Sequence, residues 1–482
     1  MKRFLVLAAA IAIVHFAIAV VVLFVWAKYD TPVDHPTWES FGYSASVLVL
    51  TPLFPFVKHV SFYPLIALNS LMWAVVMAAV IAPIRRWWLW IPIGVIALPL
   101  LWFGILITVD NVLEKRVDRA WKTRLGARAP IAQRFQRSPA NATARGVDQF
   151  AGKLLGGDFD RVRSSVIAYV SAQLARGDDA VEERPANGEH YIVEHRYDID
   201  GLEHFLQTND APQWEIDLEA LERPGSVRYY NLHRIILLDA LESTRKNDFD
   251  SARKYVELAY RLTASLRTRP EVLAVVSAMA ATNTQLGVVR KLPGDATPLP
   301  RFDARERLID AREAEAWTMR HVVATSSFAP KRNNALLDIL VRPYARLCAI
   351  VRSSDELRNS LVTRNFDRCV FQPPKEPDDT SPVPNPINSD SAAHAATLAV
   401  RASRLAIDFE GSERIAALKR SPNPAVFASM CPNRKWLFDG HLLHLEPALP
   451  SGPLPSKHRI TAAQKSSSGT SIATAHSTAS SK

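Results

Sequence analysis

The charged residues are distributed very unevenly along the chain, and this split constrains the fold more than any motif does. Residues 1–110 hold only 10 of the 106 Asp, Glu, Lys and Arg, and 7 of the 11 Trp, whereas the remaining 372 residues hold 96 charges. A wholly soluble chain is not expected from such a split. With 482 residues, two or three folding units are expected. The composition also excludes a disulfide-rich mini-domain, a collagen-like chain and a fully disordered chain.

Three charge-free runs fall in the first 110 residues. Phe4 to Ala27 is 24 residues long, about 36 Å as a helix, against a hydrocarbon core of about 30 Å. It is too long for the apolar region of a signal peptide, about 7–15 residues. His59 to Ile84 ends at Arg85 and Arg86, and Trp87 to Val109 opens with Trp87, Trp88 and Trp90. Indole rings favour the headgroup boundary, and prolines such as Pro92 and Pro99 are tolerated in spanning helices. Residues 41–57 are apolar, but the run is short and carries Pro52 and Pro55. It reads as an interfacial or re-entrant segment, with a short fourth span as the alternative.

That alternative decides orientation. Three spans with Lys2 and Arg3 inside put the rest of the chain outside. The segment after the third span opposes this: Lys115, Arg116, Arg119, Lys122, Arg124 and Arg128 face only Glu114 and Asp118. Basic residues near a span end favour the cytoplasm, and a fourth span would satisfy them. The extracytoplasmic placement, in a plasma membrane of bacterial type, is the expectation carried forward. Lys115, Arg116, Arg119, Lys122 and Arg124 are the candidate contacts to anionic lipid. The three cysteines show no metal-ligand spacing. Cys348 and Cys369 are the candidate disulfide if the domain is extracytoplasmic, and three buried thiols are the alternative.

From Asn111 to about Leu292 the pattern is mainly helical. Residues 232–270 read as a helical hairpin. Leu232, Ile235, Ile236, Leu238 and Ala240 form one apolar face, Asn247-Asp248 the turn, and Phe249, Ala252, Val256, Ala259 and Leu262 the second face. Pro270 is the expected terminator. Over residues 233–266 this hairpin resembles a tetratricopeptide-type repeat: Ala240, Phe249, Ala252 and Ala259 fall where that family places small or aromatic contact residues. It departs from the family where an early aromatic and a late proline belong. The resemblance implies stacked hairpins with a concave surface for a protein partner. One internal echo accompanies it, DFDRVRSSV at 158–166 and DFDSARKYV at 248–256.

Val272 to Val289 carries no charge but contains Ser277, Thr282, Asn283, Thr284 and Gln285. Those groups are costly in lipid, so a buried helix of the soluble domain is expected. Asp303 to Val323 is strongly charged and reads as a helix with a solvated face. Further helices are expected at 333–364, divided near Pro343, and at 390–419. KWLFDGHLLHLE (435–446) reads as a β-hairpin turning at Asp439-Gly440.

Catalytic signatures are absent: there is no phosphate-binding loop, no dinucleotide fingerprint, no H-E-x-x-H, no G-x-S-x-G and no C-x-x-C. No catalytic residue and no cofactor are implied, and no nucleic-acid reading module is visible. One cluster, EHYIVEHRYDIDGLEH (189–204), mixes imidazole and carboxylate, the donor types that suit a divalent metal. Its candidate ligands are His190, Glu194, His195, Asp198 and His204. The β-branched and aromatic content around His190 suggests a strand.

The expected fold class is mainly α: N-terminal transmembrane helices, a helical-hairpin soluble domain, a small C-terminal β-hairpin and a disordered tail. The boundaries are a membrane region at 1–110 (spans about 4–27, 60–84 and 87–109), a helical domain at 111–370, a proline-rich linker at 371–390, a helix with a β-hairpin at 391–449, and a tail at 450–482. The expected function is that of a membrane-anchored binding or scaffold protein with lipid and another protein as partners. A membrane-associated metal-dependent enzyme using residues 189–204 is the alternative.

Overall fold

The computed structural model describes residues 6, 8–17, 62–81, 104–105, 107–123, 129–219, 225–294, 299–323, 335–369, 371, 389–421, 423, 425–448 and 457–459. The expected segment at 41–57, most of the third span, most of the proline-rich linker and residues 460–482 lie outside them.

Two apolar helices come first, α1 (Ala8–Ala17) and α2 (Phe62–Ile81). They meet through small residues: Ala8 packs with Ala74 and Ala78, with Ile11 and Ala12 beside them. His15 Nδ1 and Ser70 Oγ are 2.9 Å apart across the pair. Small side chains permit this close approach of two backbones. Helix α3 (107–123) follows and leads into the domain.

The domain is a layered array of helices: α4 (Ala142–Leu154), α5 (Gly157–Ala175), α6 (Ala186–Glu194), α7 (Arg196–Thr208), α8 (Ser226–Arg245), α9 (Phe249–Thr263), α10 (Val272–Lys291), α11 (Ala304–Thr318), α12 (Ala335–Asn365) and α13 (Ser389–Arg420). The hairpin read from residues 232–270 is present as α8 and α9. Ala240, Ala252 and Ala259 are fully buried where the two helices meet, and Asn247 takes a φ of 61° in the turn. Asp248 caps α9 by accepting from the Ser251 amide. Helix α9 stops at Thr263 and continues as a 3-10 turn, Ala264–Thr268, before Pro270 is reached. The two echoed Asp-Phe-Asp sequences both open helices, and Phe159 and Phe249 both pack against the main core.

Helix α10 is the centre of the domain, in contact with α5, α8, α9, α11 and α13. Among the described residues it is the one helix long and apolar enough to cross a membrane, yet 72% of its apolar window is buried inside the protein. Two of its threonine hydroxyls are met locally. Thr282 donates to the Ala278 carbonyl and accepts from Arg267, while Thr284 donates to the Ala280 carbonyl. A helix apolar on all sides is covered on all sides, and here the cover is protein.

Three expectations are corrected. The charged helix α11 is solvated only near its start: Glu306 and Arg307 are exposed, but Asp310, Arg312 and Glu313 are buried. Arg134 pairs with Asp310 and Glu313, Arg364 with Glu313, and Arg312 with Glu356. Those partners come from two other segments, the turn at Ile131–Arg134 and α12, which a single helix's periodicity cannot reveal. Second, α12 runs unbroken through Pro343. A proline removes one donor and crowds one carbonyl; the 31-residue helix that contains it packs against α11 and α13. Third, Cys369 bonds to Cys431, not to Cys348.

The C-terminal strands β1 (Ala425–Ala428), β2 (Lys435–Phe438), β3 (Leu442–Glu446) and β4 (Lys457–Arg459) form one antiparallel sheet in that order. The expected hairpin is β2–β3, with Phe438 opposite Leu443. Asp439 Oδ1 accepts from the amides of His441 and Leu442, and Gly440 takes a φ of 104°, a region open to glycine at no steric cost. Strand β4 falls within the stretch expected to be disordered. The sheet packs on α13 through Trp436, Phe438, Leu443 and Leu445 against Ile407, Ile415 and Leu418. Helix α13 also gives Leu398, Ala402, Leu405 and Phe409 to the main core, so one helix joins the two clusters.

Candidate functional site

Helix α3 carries the residues expected to meet anionic lipid. Val117 is buried against Ile350, with Leu113 and Val351 around it. On the same side Glu114 pairs with Arg346 and Asp118 with Arg320. Both acids of the segment are therefore engaged by arginines of the domain. Lys115, Arg116, Arg119 and Lys122 are all exposed, and Arg124 lies outside the described residues. The free face of the helix is left with only positive charge. Directly before it, Ile105, Ile107, Val109 and Val112 are 38–48% exposed. An apolar stretch thus passes into a cationic one around residue 113. Arg320 and Arg346 were not legible as latches in the sequence, because they lie about 200 residues downstream of the acids they hold.

The expected metal cluster is brought together only in part. His190 to Glu194 is helical, not a strand. Of the β-branched and aromatic side chains there, Val193 and Tyr197 lie on the solvent face, while Tyr191, Ile192 and Ile199 turn inward with Leu202 and Leu206. Glu194 and His195 meet Asp158 of α5, with one donor atom from each within 4.8 Å of the others. His190 is exposed and its Nε2 lies 3.8 Å from Glu194. Asp198 pairs instead with Lys153 at 3.3 Å, and His204 is exposed on α7.

His195 Nε2 is buried without a hydrogen-bond partner and lies 3.9 Å from Asp158. Its ring rests on Tyr191, with centroids 4.5 Å apart. Two carboxylates and one imidazole are a donor set for a divalent ion. Around a tetrahedral zinc the donors sit about 3.4 Å apart, so a modest closure of the cluster would complete a three-donor face. Asp158, which also pairs with Arg161, was missed as a ligand because it stands 36 positions before Glu194.

The same segment contains a buried charge network that its histidines concealed. Asp239 of α8 accepts from Arg184 at 3.1 Å and from Arg196 at 2.8 Å. Glu203 lies 3.6 Å from Arg196. Burial, and then the nearby Asp239 charge, push the Glu203 carboxyl up to about 8. These links tie α7, α8 and the segment before α6 together.

Compared with protein-family models, with curated proteins and with solved structures, the chain matches none.

Proposed function

We propose that the protein is a membrane-anchored binding protein. In this reading the N-terminal helices lie in the bilayer, α3 is the stalk, and the helical domain is the body that engages a protein partner. The observation that carries the reading is the polarity of the α1–α2 pair. Its contact is made by alanines and by a His15–Ser70 hydrogen bond, while Val6, Ile13, Val14, Leu68, Leu71 and Val75 are 45–70% exposed. That is the reverse of α8 and α9, whose large apolar side chains turn inward. Apolar exterior with small and polar residues between helices is the arrangement that lipid favours. The stalk adds a cationic surface beside the expected third span, and the Cys369–Cys431 bond suits an extracytoplasmic, oxidising side.

Anchoring is tested on isolated membranes. The full chain is expected to remain in the pellet after an alkaline carbonate wash, and its release would end the reading. The stalk is tested in nanodiscs, where replacing phosphatidylcholine by phosphatidylglycerol should stabilise the protein. With up to about 1 kcal/mol per basic residue near the surface, less screening, the total is about 2 kcal/mol. Changing Lys115, Arg116, Arg119 and Lys122 to glutamine should remove that difference. A difference that survives in the quadruple variant would place the lipid contact elsewhere.

The Asp158–Glu194–His195 cluster supports a second reading, a metal-dependent enzyme at the membrane. Its motivation is the orphaned His195 nitrogen facing two carboxylates. The full chain dialysed against Zn²⁺ should then retain one equivalent, and Asp158→Asn or His195→Ala should lower the affinity at least tenfold. Retention of less than a tenth of an equivalent by the unaltered protein would dispose of it.

A further inference from the structure

A cleft of about 610 Å³ opens where the start of α11, the end of α12, the middle of α13 and the end of β1 converge. This size suits a small organic ligand. Its apolar side is formed by Phe302, Ile309, Phe409 and Met430. Five arginines line it, and three are already engaged. Arg301 makes two bonds to Glu413, at 3.0 and 2.7 Å. Arg305 donates to the carbonyls of Thr363 and Arg364, capping α12. Arg364 reaches Glu313 at 3.0 Å.

The other two, Arg368 and Arg414, have no carboxylate partner among the described residues. Arg414 is half-buried. Its guanidinium carbon stands 5.2 Å from the Phe427 ring centroid, and its Nε is buried with no acceptor. The acidic residues of the lining do not supply one. Asp303 caps α11 by accepting from the Glu306 amide, Glu410 accepts from Ser429 and from the Met430 amide, and Glu413 holds Arg301. Glu306 is exposed. The buried Arg414 Nε has no acceptor, and the planar fork of a guanidinium matches an oxyanion. The rim is also covalently held: Arg368 precedes Cys369 and Met430 precedes Cys431, the two ends of the disulfide.

We propose that this cleft binds an organic oxyanion with an apolar body, the body against Phe302, Ile309, Phe409 and Met430 and the carboxylate or phosphate group on Arg368 and Arg414. Binding is independent of the membrane reading, because it is measured on the full chain in a neutral detergent. The probes are 3-phenylpropionate, 3-phenylpropyl phosphate and 3-phenylpropylammonium, titrated by calorimetry. At least one anion should bind with one-to-one stoichiometry and the ammonium at least tenfold more weakly. The tighter of the two anions identifies the head group.

Arg368→Gln and Arg414→Gln should each weaken the anion at least tenfold, and Ala406→Phe, which fills the cleft, should abolish binding. Arg368 is exposed, so its replacement tests the site without threatening the fold. Three results would each overturn the proposal: no saturable binding of either anion, equal binding of the ammonium, or unchanged affinity in Arg368→Gln.

Discussion

Replacing Glu313 by alanine should lower the stability of the protein by about 3–5 kcal/mol, the range for removing one partner of a buried ion pair. Glu313 is completely buried, and its two oxygens each hold an arginine from a different segment. Arg134 lies at 2.7 Å and Arg364 at 3.0 Å. Truncation removes a carboxylate from both guanidinium groups, and Arg134, only 16% exposed, cannot turn fully to water. Glutamine keeps the shape and some hydrogen bonding but removes the charge, so Glu313→Gln should fall between alanine and the native residue. A surface pair is the control. Asp250 pairs with Arg253 at 3.0 Å but is 95% exposed, and Asp250→Ala should change stability by less than about 0.5 kcal/mol. Denaturant titration of the solubilised full chain, followed by tryptophan fluorescence, measures both. If Glu313→Ala cost no more than Asp250→Ala, the three-way junction of Arg134, α11 and α12 would contribute nothing to the fold.

That junction also explains where the sequence was legible and where it was not. The α8–α9 hairpin was readable because its signal is local. Leu232, Ile235 and Ile236 recur at helical spacing on their own helix, and Ala240, Ala252 and Ala259 announce a close crossing. The β2–β3 turn was readable because Gly440 must take a positive φ. Helix α10 was readable because Thr282 and Gln285 argue against lipid and for a protein interior.

The failures share one cause: a partner far away in sequence. Glu313 read as solvated because Arg134 stands 179 positions before it. Glu194 and His195 read as parts of one linear cluster, whereas the third donor, Asp158, belongs to another helix. Strand β4, Lys-His-Arg, has no apolar residue to announce it, and it becomes a strand only by pairing with β3. The arginine-lined cleft was invisible for the same reason, since Arg368, Arg414 and Met430 come from three separate elements.

Removing the Cys369–Cys431 bond should cost about 4 kcal/mol, set by the length of the loop it closes. The bond closes a loop of 62 residues, so in the chain-entropy account it restricts the unfolded state strongly, by about 4 kcal/mol. The native positions accommodate it, with Cα atoms 5.3 Å apart, inside the usual range of about 4.4–6.8 Å. Other contacts hold the same junction. Arg434 donates to the carbonyls of Cys369, Pro447 and Ala448, and Phe371 packs beside Cys431 and Trp436. Those contacts should keep the sheet docked on α13 in a Cys369→Ser/Cys431→Ser variant at low temperature, while its unfolding midpoint falls. Pairing is read separately with a maleimide-linked polymer on denatured chain from intact cells. One thiol, Cys348, should react before reduction and all three after it. Three reactive thiols from the start would mean that the chain lives in a reducing compartment, and would move the helical domain to the cytoplasmic side. Protection of Cys348 with Cys369 would restore the pairing expected from sequence and disconnect the sheet from α12. The Cys369–Cys431 pairing joins the neighbours of Arg368 and Met430 covalently, so the same labelling pattern decides whether the rim of the proposed anion site is fixed by a covalent bond.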